Sequence, residues 1–191
     1  MSIQFHLASK SPRRQELLRQ VGFTFDVCSA DILEQPQPGE TPADYARRMA
    51  FEKARAALTT HELILPVLGA DTDVVLDGRI LGKPKNREDA LRILTSLSNR
   101  EHEVVSAVAM IHGDRAEVAL SVTRVCFGEI TPQVAEAYWV TGEPADKAGA
   151  YGIQGIGAQF VREIHGSYSG VVGLPLYETC QLLSRFGILP V

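Results

Sequence analysis

Val67-Leu68-Gly69-Ala70-Asp71-Thr72-Asp73-Val74-Val75-Leu76, followed by Asp77-Gly78-Arg79-Ile80-Leu81-Gly82-Lys83-Pro84, is the stretch on which the reading of this chain turns. Val67-Leu68 and Val74-Val75-Leu76 read as strand, yet an acidic triplet interrupts them. Aspartate is poor in a strand interior, so something other than sheet propensity holds Asp71 there. Asp77-Gly78 is a strong two-residue hairpin turn. If it pairs Leu76 with Arg79, the register carries on to set Thr72 opposite Lys83. A carboxylate, a hydroxyl and an ammonium then converge at one end of a hairpin. Residues directly opposite share a face, so an ideal ladder joins Lys83 to Thr72 and turns Asp71 away. A bulge at Gly82 would re-aim Lys83. The plainer alternative is a surface hairpin with a solvated Asp and Lys.

Outward from the hairpin, strands and helices alternate. Ile3 to Ala8 reads as a strand that leads through Ser9-Lys10-Ser11 into a helix over Pro12 to Val21. Ser11 suits the N-cap, Pro12 the first helical position and Gly22 the stop. A strand follows at Phe23 to Cys28, then a polar loop from Asp31 to Glu40. Thr41-Pro42-Ala43-Asp44 opens a longer helix to about Leu58. After the hairpin come a helix near Glu88 to Leu97, strands near His102 to Ile111 and Ala116 to Phe127, and a helix from Thr131 to Val140. Glycines dominate Gly149 to Gly157. A strand at Gln159 to Ile164 and a helix from Leu174 to Phe186 close the chain. The interleaving gives an α/β class.

The 191 residues are 45% hydrophobic and 22% charged, enough to bury a core without disulfide or metal staples. A net charge of -4 disfavours a general nucleic-acid or anionic-membrane binder. Cys28, Cys126 and Cys180 lack ligand spacing and read as reduced thiols. No stretch is apolar over the roughly 20 residues a membrane span needs, and the N-terminus lacks signal-peptide features. The expected location is the cytoplasm.

Three further segments carry chemistry. Ser9-Lys10-Ser11-Pro12-Arg13-Arg14 runs a strand into a helix whose first turn bears two arginines. Cations there oppose the helix dipole unless an anion is shared, and guanidinium forks suit phosphate. A capped surface helix with solvated arginines is the alternative. Lys53 shares a helix face with Ala46, Met49, Ala50 and Ala57, so it either snorkels to water or points into a polar cleft. Arg48, Glu52 and Arg55 read as a solvated charge cluster. Glu34 sits in a loop without a distinguishing pattern. Gly149-Ala150-Tyr151-Gly152-Ile153-Gln154-Gly155-Ile156-Gly157 is neither a dinucleotide fingerprint nor a P-loop. It reads as backbone approaching a flat ligand or as a plain loop. The five histidines lack ligand spacing, and no GxSxG elbow offers a serine nucleophile.

Taken together, Leu7-Ala8-Ser9-Lys10-Ser11-Pro12-Arg13-Arg14, Gly69-Ala70-Asp71-Thr72, Gly82-Lys83-Pro84, Asp146-Lys147-Ala148-Gly149-Ala150-Tyr151-Gly152-Ile153-Gln154-Gly155 and Val172-Gly173-Leu174-Pro175-Leu176 resemble the Maf family in order and over nearly the whole chain. The AYGIQG segment resembles the bacterial subgroup that hydrolyses dTTP and UTP. The resemblance implies one Maf-like domain over residues 1–191, with a mixed twisted sheet flanked by helices and two lobes around a cleft. It implies release of a nucleoside monophosphate and pyrophosphate with a divalent metal, Mg or Mn. Asp71 would be the catalytic carboxylate, and Glu34 with Asp71 would serve the metal. Ser9, Arg13, Arg14, Lys53, Thr72, Lys83 and Gln154 would bind substrate, with Arg13, Thr72 and Gln154 at the positions tied to base choice. A homodimer is compatible with the family. Lys10 stands where the family often has Gly, and Asn99 replaces a glycine common before the His102 strand; neither is a proposed chemical group.

The residue types suit that chemistry. A triphosphate needs several cations because water attacking the α-phosphorus meets a shell of anionic oxygens. The Gln154 carbonyl can accept from a uracil or thymine N3–H while its NH₂ donates to O4. Cytosine presents the reverse pattern, which a flipped amide would satisfy, so selectivity needs neighbours that pin the amide. Two rival functions stand beside this one: a non-catalytic nucleotide-binding regulator of septum formation, and the same reaction on modified purine triphosphates.

Overall fold

The computed structural model describes residues 2–190. A seven-stranded sheet runs through it in the order β2-β1-β3-β5-β6-β7, with β4 paired to β3 off that path. The strands are β1 (Phe5–Leu7), β2 (Phe25–Val27), β3 (Val67–Leu76), β4 (Arg79–Ile80), β5 (Glu101–His112), β6 (Arg115–Phe127) and β7 (Val161–His165). β1 runs parallel to β2 and β3, and every other pairing is antiparallel, so the sheet is mixed. The helices are α1 (Pro12–Gln20), α2 (Pro42–Thr60), α3 (Arg87–Leu97), α4 (Pro132–Val140), α5 (Tyr168–Val172) and α6 (Leu176–Arg185). The expected α/β class holds.

β3 is central and covered on both faces. Leu68, Ala70, Val74 and Leu76 point into the main core with Phe5, Leu18, Ile93, Leu94, Val108 and Phe127. The alternate residues face α2, where Val75 packs with Ala46 and Ala50, and Val67 with Ala54 and Ala57. The α2 stripe is built of alanines because the helix must lie close to the strand. At Gly69 a Cβ would fall 2.1 Å from the Ala50 carbonyl oxygen and 2.8 Å from the Ala54 amide, so only glycine fits the crossing. Asp71 and Asp73 follow Gly69 at the period of two and therefore also look towards α2.

Capping follows the local chemistry. Thr41 accepts from the Asp44 amide, Asn86 from Asp89 and Thr131 from Val134, each ahead of its helix. Ser11 occupies the α1 cap position, but its side chain makes no cap hydrogen bond.

Several expectations are corrected. Asp77 and Gly78 both take positive φ, 51° and 73°, as a type I′ turn requires, and Leu76 does pair with Arg79. The ladder, however, stops after Leu81 donates to the Val74 carbonyl. Gly82 then enters the left-handed region at φ 63° and its carbonyl accepts from the Gly149 amide at 2.8 Å. Lys83 is thus never opposite Thr72: Gly82 ends the strand instead of bulging it. The expected helix from Leu174 to Phe186 is α6, which starts two residues later because Pro175 precedes it, and the separate short helix α5 lies just before Gly173, at φ 134°. The Gln159 strand begins two residues later, after a 3₁₀ segment at Ile156–Phe160, with further 3₁₀ turns at Glu143–Asp146 and Ala148–Ala150.

Candidate active site

A cleft of about 990 Å³ opens over the meeting point of α1, α2, β3 and the segment after β4. Ser9, Arg13, Arg14, Glu34, Lys53, Asp71, Thr72 and Lys83 all line it. Gln154 does not; it is exposed and lines a small adjoining hollow with Arg13, Tyr151, Val171 and Val172.

The floor is an acid–base pair. Lys53 Nζ donates to Asp71 Oδ1 at 2.6 Å and also lies 3.2 Å from Glu34 Oε2. Of the two readings open for Lys53, the polar cleft is the one adopted. Its neighbours on α2 are the alanines that pack on β3, so the close helix–strand approach delivers the ammonium to the strand's acid. This pairing, not sheet propensity, accommodates Asp71 at 6% exposure in a covered strand.

Asp73, two residues on, is equally buried, and its Oδ2 has no hydrogen-bond partner. Burial raises its pKa well above the ordinary carboxylate range, and the charge of Asp71 adds to the effect. Sequence reasoning noted Asp73 only as part of the acidic triplet. Its same-face period with Asp71 was the signal that could have marked it. Tyr45, also buried at the cleft wall, was missed; burial and then the charges of Asp73 and Asp71 raise its phenol.

The opposite wall is a neutral and cationic lattice. Arg14 Nε donates to the Gly173 carbonyl at 2.8 Å, and Nη1 donates to Ala70 O at 2.9 Å and Ser9 Oγ at 3.1 Å. Arg14 thereby ties α1, β3 and the α5–α6 junction together, while Nη2 keeps no protein acceptor among the described residues. Burial lowers its pKa, and the charges of Asp71 and Glu34 oppose that effect. Thr72 pairs across the ladder with Ser106, Oγ1 to Oγ 3.0 Å, and also reaches Gly173 O at 3.2 Å. Arg13 is less committed: among the described residues its one ion-pair partner is Asp146 at 3.9 Å.

Glu34 reaches the cleft because its loop is tethered. Arg48 binds Glu40 through Nε at 2.6 Å and Nη2 at 2.7 Å, and Nη2 also donates to the Gln35 carbonyl at 2.9 Å. Arg48 is therefore a half-buried anchor and not the solvated residue expected. Its guanidinium holds the Glu40 carboxyl down at about 2.

Glu34, Asp71 and Asp73 all line the cleft and offer oxygen donors of the kind a hard divalent cation such as Mg or Mn takes, with the Lys53 ammonium lying between Glu34 and Asp71. A second group that could hold a metal, Cys126, Glu163 and His165 with donor atoms within 4.8 Å of one another, lies on β6 and β7, and none of the three lines the cleft.

The glycine-rich loop is held from outside the cleft. The Glu143 carboxylate accepts from Tyr138 Oη at 2.7 Å, Ile156 N at 2.8 Å and Gly157 N at 3.0 Å. Burial pushes Glu143 up, but these three bonds outweigh it and its pKa lies below the ordinary value. Tyr151, at the loop's start, meets buried His102 at 2.9 Å. Among the described residues no helix is long and apolar enough to cross a membrane.

A family model described as Maf-like protein matches residues 4–186. The chain is 50% identical over 190 residues to a dTTP/UTP pyrophosphatase of Saccharophagus degradans, covering 98% of this chain and 90% of that protein. It is 53% identical over 185 residues to a dTTP/UTP pyrophosphatase of Pseudoalteromonas atlantica, covering 95% and 96%. A third protein of that name, from Vibrio vulnificus, is 51% identical over 180 residues, covering 94% and 97%.

Proposed function

The chain belongs to the Maf family, and on that premise we propose that it is a nucleoside triphosphate pyrophosphatase acting on dTTP and UTP, clearing them or modified pyrimidine triphosphates from the nucleotide pool. The observation that carries this reading is the single cleft in which Asp71 and Lys53 pair at 2.6 Å beneath Arg13, Arg14 and Lys83.

Water attacks the α-phosphorus, the bond to the α–β bridging oxygen breaks, and nucleoside monophosphate and pyrophosphate leave. Arg13, Arg14, Lys53 and Lys83 balance the polyphosphate charge as it shifts towards the leaving group. Lys53 occupies Asp71 Oδ1 and so fixes the carboxylate, leaving its other oxygen to take the proton of the attacking water. Ser9 and Thr72 supply hydroxyls on the α1 side, and Ser9 already holds the Arg14 guanidinium in place. Glu34 and Asp71 would hold a divalent cation, which when bound would neutralise phosphate oxygens. Gln154 and Arg13, side by side on the cleft's margin, meet the base. The whole chain acts as one domain, in the cytoplasm.

The test is direct: incubate the protein with pyrimidine and purine triphosphates plus Mg²⁺ or Mn²⁺ and separate pyrophosphate from orthophosphate. UTP and dTTP yielding monophosphate and pyrophosphate is the expected result. Binding without turnover would replace this reading with that of a nucleotide-binding regulator, and turnover confined to purines would reassign the base.

A further inference from the structure

Gln154 makes no side-chain hydrogen bond within the described residues, yet base choice by a glutamine requires its amide to be presented in one place. The six-residue segment Gly152–Gly157 that carries it is fastened at both ends. The Gly152 amide donates to Tyr138 Oη at 3.1 Å, and the same hydroxyl donates to Glu143 Oε1 at 2.7 Å. The Ile156 amide donates to Glu143 Oε2 at 2.8 Å and the Gly157 amide to Oε1 at 3.0 Å. Gly155 N then closes a turn onto Gly152 O at 3.3 Å, with Gln154 inside it.

The glycines match this clamp. A Cβ on Gly155 would lie 2.2 Å from Glu143 Oε2, and one on Gly157 would lie 2.5 Å from Tyr138 Oη. The loop is glycine-rich partly because a carboxylate has to reach its backbone, as well as for any approach to a ligand. Glu143 lines neither the cleft nor the hollow beside it, so it does not touch the substrate. Its position is set independently of Gln154: α4 presents Tyr138, and the 3₁₀ turn Glu143–Asp146 presents the acid, whose own carbonyl accepts from Lys147 Nζ at 2.6 Å.

We infer that Glu143 is a positioning residue for base selectivity, holding the Gln154 turn against the cleft through two backbone amides and the Tyr138 hydroxyl. This rests on the reading of Gln154 as the residue that meets the base. Glu143→Gln keeps the shape but leaves one oxygen to accept, and its NH₂ faces an N–H that it cannot satisfy. Charge-assisted bonds are stronger than neutral ones, so the turn loosens while the phosphate-binding end keeps all its groups.

The experiment measures pyrophosphate release from UTP and CTP by wild type, Glu143→Gln, Tyr138→Phe and Gln154→Ala, with amide hydrogen exchange over residues 152–157. The expected result is a UTP:CTP ratio of kcat/KM that falls about tenfold in Glu143→Gln, mainly through a higher KM for UTP, with faster exchange of the loop amides. Tyr138→Phe, which removes the hydroxyl's two bonds but keeps the ring and both amide bonds to Glu143, moves both readouts the same way by a smaller factor and carries the test should Glu143→Gln fold poorly. Equal slowing of UTP and CTP in Glu143→Gln overturns the inference. So does a ratio unchanged in both clamp variants when Gln154→Ala lowers it. If Gln154→Ala itself leaves the ratio unmoved, the base-recognition reading fails first and takes this inference with it.

Discussion

The cleft and the hollow that adjoins it are built on opposite principles. At the Asp71 end, charged side chains stand on rigid elements: Lys53 on α2, Asp71 on β3 and Arg14 on α1, with bonds of 2.6 Å and 2.8 Å fixing their geometry. At the Gln154 end, the chain is irregular, and its shape is imposed by backbone amides that donate to Glu143 and Tyr138. The contrast follows from what each end must recognise. A polyphosphate is met by charge, and Lys53, Asp71 and Arg14 each hold theirs in place on a regular element. A base is met by neutral hydrogen bonds, whose discrimination depends on placement. Placement on a loop has to come from elsewhere in the fold.

The largest effect expected is at the charged end. Asp71→Asn should lower kcat on UTP by at least about 100-fold while circular dichroism shows that the protein still folds. Turnover within about threefold of wild type would remove Asp71 from the mechanism.

Rigidity at that end is tested by Gly69→Ala. A methyl placed 2.1 Å from the Ala50 carbonyl must push α2 off β3, costing about 3 kcal/mol of stability and displacing Lys53 from Asp71. Urea unfolding measures the first, and a loss of kcat in the folded fraction measures the second. Unchanged stability would mean that the α2–β3 crossing is looser than its alanine stripe implies.

The neutral end should respond to acid through His102. Burial lowers this imidazole to about 4, below its unfolded value near 6.5. As pH falls, the unfolded chain therefore takes up the proton before the folded one does. The contribution is complete above about pH 6.5 and drains away as pH drops towards 4, amounting to up to about 3 kcal/mol. Urea midpoints at pH 7 and pH 4.5 read this out, and His102→Gln should flatten that part of the slope. Parallel slopes for the two proteins would assign the acid sensitivity to other groups. Because the folded protein keeps His102 neutral down to about pH 4, its 2.9 Å contact with Tyr151, and with it base selectivity, should hold across that interval while stability falls.

The smallest effect separates the arginines. Arg13, with one partner at 3.9 Å, should on substitution by Ala raise KM for UTP about tenfold and leave melting unchanged. Arg14→Ala should instead lower the melting temperature, since three of its bonds hold protein groups together. Identical behaviour of the two variants would erase the distinction between a free cation and a structural one.

Much of the fold was legible because its signals are local. Asp77-Gly78 requires two positive φ values, and Thr41 and Thr131 stand where caps are needed ahead of Pro42 and Pro132. The closing helix was legible to within two residues, whereas α5, five residues long, has too little apolar period to announce itself. In the site, Arg13, Arg14, Asp71 and Lys83 were visible as residue types in telling contexts. Asp73, Tyr45 and Glu143 were not marked, since an acid or phenol in sequence carries no trace of what packs around it.

By itself, then, the sequence determined the alternation of strands and helices, the central hairpin turn and a concentration of cations near one acid, all properties of neighbours along the chain. Tertiary structure alone decided that Lys53 turns inward to Asp71, that Gly82 leads Lys83 away from Thr72, that Arg14 is bound to Gly173 and Ala70, and that Glu143 holds the Gln154 turn. The physical reason is that burial, desolvation and hydrogen-bond partners are set by contacts between residues far apart in the chain, and no local pattern encodes which of two distant groups will meet.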